Sequence, residues 1–344
     1  MELGKLALIF LVRLKMKKTV FPWLNNLICL GLALTLIGFS LLPGMLFPSN
    51  AGGAVSKIIT ERRGVWLTNV SSSVLFIPGS INRVIKQLAQ LQFNTVYPVV
   101  WNRGHTFYPS ELAQVITGKK QDPLLNFMGG GTDILSTIIQ ESHVVLNYDI
   151  EGIQIDDHFG LPVELGYDPL TVNLYKSEHG GKIPPQDPHN PQWMAWRAAK
   201  LTKFMVELAN AIKTAKPGIK ISLSPNSHRF SYQNYLQDWK NWVKQGLIDE
   251  LVLQVYRNDS DSFKRELERT AVKFARQKIP VSVGILSGTL HKPINIKTIQ
   301  QQVKIVRDCR FNGFSFFYWE SLWGYLSPES PYQRRQVFRD LFDS

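Results

Sequence analysis

Three carboxyl side chains follow apolar runs of the sequence, where a charge is costly unless it is solvated, paired or used in chemistry. Asp156 and Asp157 end the run that starts at Ile150, and Glu320 ends the aromatic run that starts at Phe316. Aromatic neighbours exclude water and raise the pKa of a carboxyl group, as a general acid requires. These three residues are the candidates for acid–base or nucleophilic catalysis.

Other polar and aromatic side chains stand near the ends of β-rich runs, where they could donate hydrogen bonds to a substrate or stack on it. They are Trp66, Asn69, Trp101, Asn102, Gln154, His158, Asn226, His228, Gln254, Tyr256 and Trp319. The tryptophans and the tyrosine would serve equally well as core residues. The histidines lack the spacing of metal ligands, and no phosphate-binding or dinucleotide-binding motif occurs, so the sequence predicts no metal and no cofactor.

After Arg63 the sequence alternates between β-rich runs and patterns of helical period, which is typical of βα units. The predicted strands are residues 64–70, 94–101, 150–156, 220–224, 251–256, 280–286 and 313–319. Polar or aromatic residues follow nearly every strand. This favours a TIM-type (β/α)8 barrel, an α/β fold with its site at the carboxyl ends of the strands, over a doubly wound sheet, where such residues would gather at one switch point.

The strand count is one short of the eight that a closed barrel of this type needs. The helical pattern of residues 132–143 runs into Val144 with no turn residue and no strand before Ile150. A βα unit takes roughly 30 residues, and that length is absent near His143 and Val144. The sequence therefore predicts an incomplete barrel that lacks its third strand and third helix.

The strand before Asp157 and the loops that follow strands would shape the site. Side chains alternate along a strand, so Gln154 and Asp156 share one face and are expected to point into the barrel mouth. Asp157 would support Asp156 or contact the next loop. The long segments 103–131 and 158–193, rich in Gly, Pro, Asp and His, could build a cleft at this end.

The N-terminal residues 1–51 have the pattern of an export signal. Residues 27–47 carry no charge, basic residues precede them at 15–18, and Ser49 and Ala51 suit a cleavage site. This predicts a cleaved signal peptide or an uncleaved membrane anchor, a linker at 52–62 and a single barrel at 63–344. The positive-inside rule puts the barrel outside the cytoplasm, so we expect an exported envelope protein that contacts the membrane if the segment is retained.

The net charge of +12 does not indicate nucleic-acid binding. The basic residues precede the apolar segment or are scattered, and they form no run with interleaved aromatics. Cys29 and Cys309 lie in apolar and amphipathic patterns, so we interpret both as unpaired thiols.

Four strand segments carry a resemblance to a known family. They are Arg63-Gly-Val-Trp-Leu-Thr-Asn, Asn94-Thr-Val-Tyr-Pro, Tyr148-Asp-Ile-Glu-Gly-Ile-Gln-Ile-Asp-Asp-His-Phe and Gly313-Phe-Ser-Phe-Phe-Tyr-Trp-Glu. Together they resemble the glycosyl hydrolase-like 10 family over about residues 60–325. Members look like TIM-barrel glycosidases exported to the bacterial envelope, some implicated in cleaving cell-wall glycan. This sequence departs from the family near His143 and Val144, where members carry the third strand and helix.

The resemblance implies a glycoside hydrolase that acts on an envelope or cell-wall polysaccharide with two carboxyl groups flanking the scissile bond. The spacing of Gly152, Gln154 and Asp156 resembles the nucleophile strand of α-amylase-type barrels. Asp156 would then be the nucleophile or an electrostatic stabiliser, and Glu320 the general acid. Aromatic side chains would stack on sugar rings, and Asn226, His228 and Gln254 would bind sugar hydroxyls.

Two other functions stay open. The first is a catalytically inactive glycan-binding or scaffold protein, derived from such an enzyme by loss of the βα unit. The second is a metal-dependent polysaccharide deacetylase, suggested by Asp156, Asp157 and His158, although the companion His-x-x-x-His spacing is missing.

Overall fold

A computed structural model describes residues 10–15, 61–77, 79–128, 133–146, 149–289, 291–323 and 327–343. The strands of its main sheet are β1 Phe10–Lys15, β2 Arg62–Leu67, β3 Thr95–Pro98, β6 Asp149–Asp156, β7 Lys220–Ser224, β8 Glu250–Gln254, β9 Val281–Leu286 and β12 Gly313–Phe317. Two small hairpins pair β4 Trp101–Asn102 with β5 His105–Thr106, and β10 Gly288–Thr289 with β11 Lys292–Pro293.

Helices follow most of the strands and cover the sheet. They are α1 Ser80–Gln90, α2 Glu111–Thr117, α3 Pro123–Met128, α4 Ile134–Leu146, α5 Pro169–Glu178, α6 Pro191–Ala215, α7 His228–Tyr235, α8 Trp239–Lys244, α9 Ser260–Leu267, α10 Thr270–Arg276, α11 Ile296–Asp308, α12 Trp319–Trp323 and α13 Pro331–Asp343. In α1 the residues Ile81, Val84, Ile85 and Leu88 are buried. Their spacing puts them on one helix face, which packs on the sheet.

The main sheet closes into a barrel in the order β1-β3-β2-β12-β9-β8-β7-β6. All strand pairs within the run from β3 to β6 are parallel. Helix α4 leads directly into β6, with no βα unit between them in the described part of the chain. The predicted incomplete (β/α)8 barrel is confirmed: the third parallel strand and its helix are absent at the predicted place.

Strand β1 occupies the gap between β3 and β6 and runs antiparallel to both. The sequence assigned residues 10–15 to the N-terminal leader, outside the barrel, and the structure puts them in the barrel wall. Two open edges next to each other would expose unpaired N–H and C=O groups, and a strand in the gap pairs with them.

The predicted apolar segment 27–47 and nearly all of the predicted linker lie outside the described residues. Among the helices that are described, none combines the length and the apolar character needed to cross a bilayer.

The barrel interior is polar at the end where the strands begin. Arg62 pairs with Glu250 at 2.5 Å and donates a hydrogen bond to Ser282 at 2.8 Å. Ser222 donates to Glu250 at 3.1 Å and accepts from Gln154 at 3.0 Å. A buried ion pair needs such additional bonds, because they offset the loss of hydration. The network fills the lower barrel and leaves the carboxyl ends of the strands for the site.

Candidate functional site

Asp156 lies on the inner face of the barrel at the carboxyl end of β6. In the β6–β7 register Gln154 is the partner of Ser222 and Asp156 is the partner of Ser224. Cross-strand partners point to the same side of a sheet, and Ser222 belongs to the interior network. The expected common face of Gln154 and Asp156 is therefore confirmed. Asp156 is only 7% exposed.

His158 contacts the carboxyl group of Asp156 through two of its atoms. Its main-chain N–H donates to Oδ1 at 3.0 Å, and its Nδ1 lies 3.2 Å from Oδ2. Burial raises the pKa of Asp156 to about 6, although the hydrogen bonds from His158 lower it. The hydrogen bond to Asp156 raises the pKa of His158 to about 9. Near neutral pH the two groups therefore form an ion pair at the strand end.

Asp157 is more exposed than Asp156, and side chains from the next two strand ends hold its carboxylate. Asn226 donates to Oδ2 at 2.8 Å, and Gln254 donates to Oδ1 at 3.0 Å. Gln254 also donates to the carbonyl of Ser224 at 2.9 Å. Three predicted site residues thus form one hydrogen-bonded cluster at the mouth.

Glu320 lies on the opposite side of the barrel. Strand β12, which precedes it, is four positions from β6 in the order of eight strands, so the two strands face each other across the barrel. Glu320 is 9% exposed, and burial raises its pKa although a hydrogen bond from Ser72 to Oε1 lowers it. Its Oε2 is buried and has no hydrogen-bond partner in the described part of the chain.

A series of aromatic rings runs from Tyr256, after β8, to Tyr97 on β3. Tyr256 stacks on Phe317 with ring centroids 5.7 Å apart. The series continues with Trp66, whose ring centroid lies 6.3 Å from that of Phe317 and 5.2 Å from that of Tyr97. Burial, and then the charges of Asp157 and Asp156, raise the pKa of Tyr256 well above its ordinary value. Tyr256 is therefore close to both aspartates and remains a neutral phenol.

Gln154 does not lie where a substrate could contact it. It is fully buried, and its side-chain carbonyl accepts the indole N–H of Trp66 at 2.8 Å while its amide N–H group donates to Ser222. The prediction that Gln154 points into the barrel mouth is wrong. Inward-facing residues of a barrel stack in layers, and Gln154 lies one layer below Asp156. Trp66 is itself 3% exposed.

His228 is also engaged by other protein groups. Its Nε2 lies 2.9 Å from Oδ1 of Asp238, and its ring meets the edge of Trp239 at 5.1 Å. It is half-buried and takes no part in the Asp157 cluster. The prediction groups it with Asn226 because both follow β7, but the chain turns into α7 at His228 and carries the imidazole towards α8.

The remaining predicted residues lie at other strand ends of the mouth. Asn102 is buried and donates to Asn69 at 2.8 Å, which joins the β4–β5 hairpin to the loop after β2. Trp101 and Trp319 are half-buried. Nε1 of Trp319 is buried without a partner among the described residues.

Two residues of the site carry no obvious signal in the sequence. Ser72 binds Glu320, and Gln237 donates to the main-chain carbonyls of Asp156 at 3.1 Å and Phe159 at 3.0 Å. Gln237 is fully buried and fixes the turn that carries both aspartates. Ser72 belongs to a serine run after β2, which looks like an ordinary polar loop.

Asp156, Asp157 and His158 have the residue types of a metal site. One ligand atom from each lies within 4.8 Å of the others. Nδ1 of His158 is already bonded to Asp156, so the arrangement satisfies the imidazole within the protein. A cation here would have to compete with that bond.

Residues 61–144 and 142–306 match the model of the family described as glycosyl hydrolase-like 10. The two matched segments meet at residues 142–144, the same point at which the sequence lacks a βα unit.

The chain is similar to the glycosyl hydrolase DigH of Escherichia coli strain K12, with 27% identity over 139 residues, which are 36% of this chain and 29% of that protein. The match thus spans less than a third of this curated relative.

Two solved structures are also similar. The PgaB (BpsB) glycoside hydrolase domain from Bordetella bronchiseptica has 14% identity and a TM-score of 0.42, over 61% of this chain and 62% of that one. A candidate alpha-L-fucosidase from Bacteroides thetaiotaomicron has 12% identity and a TM-score of 0.49, over 86% of this chain and 99% of that one. The family match covers more than half of the chain, from residue 61 to residue 306, and the chain belongs to the glycosyl hydrolase-like 10 family.

Proposed function

We propose that the protein hydrolyses a glycosidic bond of an envelope or cell-wall polysaccharide. The observation that carries this proposal is a pair of buried carboxyl groups with raised pKa values, Asp156 at the end of β6 and Glu320 in the helix that follows the facing strand β12. Glycosidases use two such groups in different protonation states.

The environments of the two groups favour different roles. Asp156 has a cationic partner in His158 near neutral pH and is ionised there, so it can stabilise positive charge that develops at the anomeric carbon. Glu320 has no ion-pair partner in the described chain, and its burial favours the protonated form. Glu320 is therefore suited to protonate the leaving glycosidic oxygen and later to accept a proton from water.

Asp157 has a different role from Asp156 and Glu320. Its carboxylate is oriented by the amide groups of Asn226 and Gln254, and it lies nearer to solvent than Asp156. We assign it to holding these amides and to contacts with sugar hydroxyls. Phe317 and Tyr256 are half-buried and offer stacked ring surface to a sugar.

The polysaccharide class and the location rest on sequence. The basic and apolar N-terminal residues support export and a membrane-associated or envelope location. The similarity to the glycosyl hydrolase DigH supports a carbohydrate substrate. No nucleic-acid partner is proposed.

The second candidate function is an inactive glycan-binding or scaffold protein. The observation in its favour is the missing parallel strand next to β6, where an antiparallel strand stands instead. Such a replacement beside the strand that carries Asp156 could keep a binding surface while changing its catalytic geometry.

One experiment separates the two functions. The purified protein would be incubated with defined cell-wall glycan strands labelled at the reducing end, and both new reducing ends and glycan binding would be measured. Turnover that is lost in an Asp156→Asn and Glu320→Gln double variant supports the hydrolase. Binding without turnover in the unmodified protein supports the inactive glycan-binding function.

A further inference from the structure

We propose that Ser72 is a positioning residue for Glu320, and that it directs the exchangeable proton of this carboxyl group to Oε2. The inference rests on the proposed function, because only a hydrolase would use that proton. It goes beyond the carboxylates themselves, since it assigns a role to a serine from a different loop.

The hydrogen bonds around Ser72 define its role. The main-chain N–H of Val74 donates to Oγ of Ser72 at 3.3 Å. The hydroxyl oxygen accepts this bond, and the hydroxyl donates its own proton to Oε1 of Glu320. Ser72 thus acts as a donor to one chosen oxygen of the carboxyl group.

The two oxygens of Glu320 consequently differ. A proton on Oε1 would face the hydroxyl proton of Ser72, so the neutral acid is favoured with its proton on Oε2. Oε2 is buried and has no protein partner in the described residues. A proton on Oε2 therefore has no competing acceptor in the described chain.

Charged groups on the neighbouring elements are engaged elsewhere. The hydroxyl of Tyr318 donates to the carbonyl of Ser71 at 3.2 Å. Arg334 on α13 pairs with Glu329 at 2.8 Å and donates to main-chain carbonyls of α12. Strand β2, which also packs on α12, carries Arg62 and Arg63, which pair with Glu250 and Glu61. Strand β10, which packs on α12 too, consists of Gly288 and Thr289 and carries no ionisable side chain. Among the described side chains, Ser72 is the one that hydrogen-bonds the carboxyl group of Glu320, and the main-chain N–H groups of Glu320 and Val74 also lower its pKa.

The test compares Ser72→Ala with the matched control Ser73→Ala in the full chain. Loss of the hydroxyl removes a hydrogen bond that favours the ionised form, so the pKa of Glu320 should rise further in Ser72→Ala only. NMR titration of carbon-13-labelled glutamate carboxyl groups, with Glu320→Gln used to assign the signal, measures this without any turnover.

The kinetic readout follows in the same variants. The alkaline limb of the kcat/KM profile should move to higher pH in Ser72→Ala, and kcat should fall about tenfold because the acid is no longer oriented. Ser72→Thr, which keeps the hydroxyl, should restore both properties. Ser72→Cys replaces the hydroxyl with a weak donor. This variant takes the place of Ser72→Ala in the test if the alanine variant does not fold.

The outcomes are separable from those of the proposed function. An unchanged Glu320 titration in Ser72→Ala and Ser72→Cys, or an equal change in Ser73→Ala, would overturn the role of Ser72. Absence of turnover in the unmodified protein would instead contradict the hydrolase, while the titration would still decide whether Ser72 controls the carboxyl group.

Discussion

Nδ1 of His158 lies 3.2 Å from Oδ2 of Asp156, two residues earlier on the same strand end. The contact joins an imidazole to a carboxyl group that burial makes less acidic. Because the pKa of Asp156 is about 6 and that of His158 is about 9, both groups are charged between these pH values. The site thus keeps an ionised aspartate in a buried position over a wide pH range.

We expect a His158→Gln variant to need a higher pH for activity. The side-chain hydrogen bond and the charge of His158 lower the pKa of Asp156, so their loss raises it, and the acid limb of kcat/KM, near pH 6 in the unmodified protein, moves upward. A pH profile from 4 to 9 measures the shift. The matched control is His189→Gln, whose imidazole is exposed. Superimposable acid limbs in the two variants would show that His158 does not control the protonation of Asp156.

Sequence patterns predicted the barrel and the place of its missing unit because both depend on local periodicity and on the order of elements. Strand alternation predicted that Gln154 and Asp156 share one face. Partners such as Ser72 and Glu320, which are 248 residues apart, were not predicted, since their contact exists only once the barrel closes. The layer occupied by Gln154 was missed for the same reason: alternation gives the face of a strand but not the depth.

Gln154 should affect stability more than substrate affinity. Replacing it with Leu leaves the buried indole N–H of Trp66 without its acceptor, which costs about 1–3 kcal/mol in the free energy of unfolding. Urea denaturation measures this cost, and Gln301→Leu on the exposed face of α11 is the control. A Gln154→Leu protein of unchanged stability but weakened glycan binding would contradict the structural role of Gln154 and support its predicted role in substrate binding.

Strand β1 should protect the edges of β3 and β6. In a chain that lacks residues 1–15 we expect faster amide hydrogen exchange in residues 95–96 and 149–155, because backbone groups that pair with β1 lose their partners. Strands β8 and β9, on the far side of the barrel, should keep their exchange rates. Equal protection of residues 95–96 and 149–155 in both chains would show that β1 does not seal the wall.

Strand β1 was not predicted, because its sequence context indicates a different role. Residues 10–15 precede an apolar segment, and that sequence context is typical of an export signal. A strand that completes a sheet by filling a gap carries no signal of its own, because the need for it arises from the segment missing near His143. Only the closed order of the strands reveals that need.

The central claim is that Asp156 and Glu320 are the reacting carboxyl groups and that Asp157 supports them. The most direct measurement is kcat/KM of Asp156→Asn, Glu320→Gln and Asp157→Asn on chemically defined glycan strands, with glycan affinity measured in parallel. We predict a loss of roughly a thousandfold, about 4 kcal/mol, for Asp156→Asn, the next largest loss for Glu320→Gln, and a smaller one for Asp157→Asn. A larger loss in Asp157→Asn than in Asp156→Asn would contradict the account.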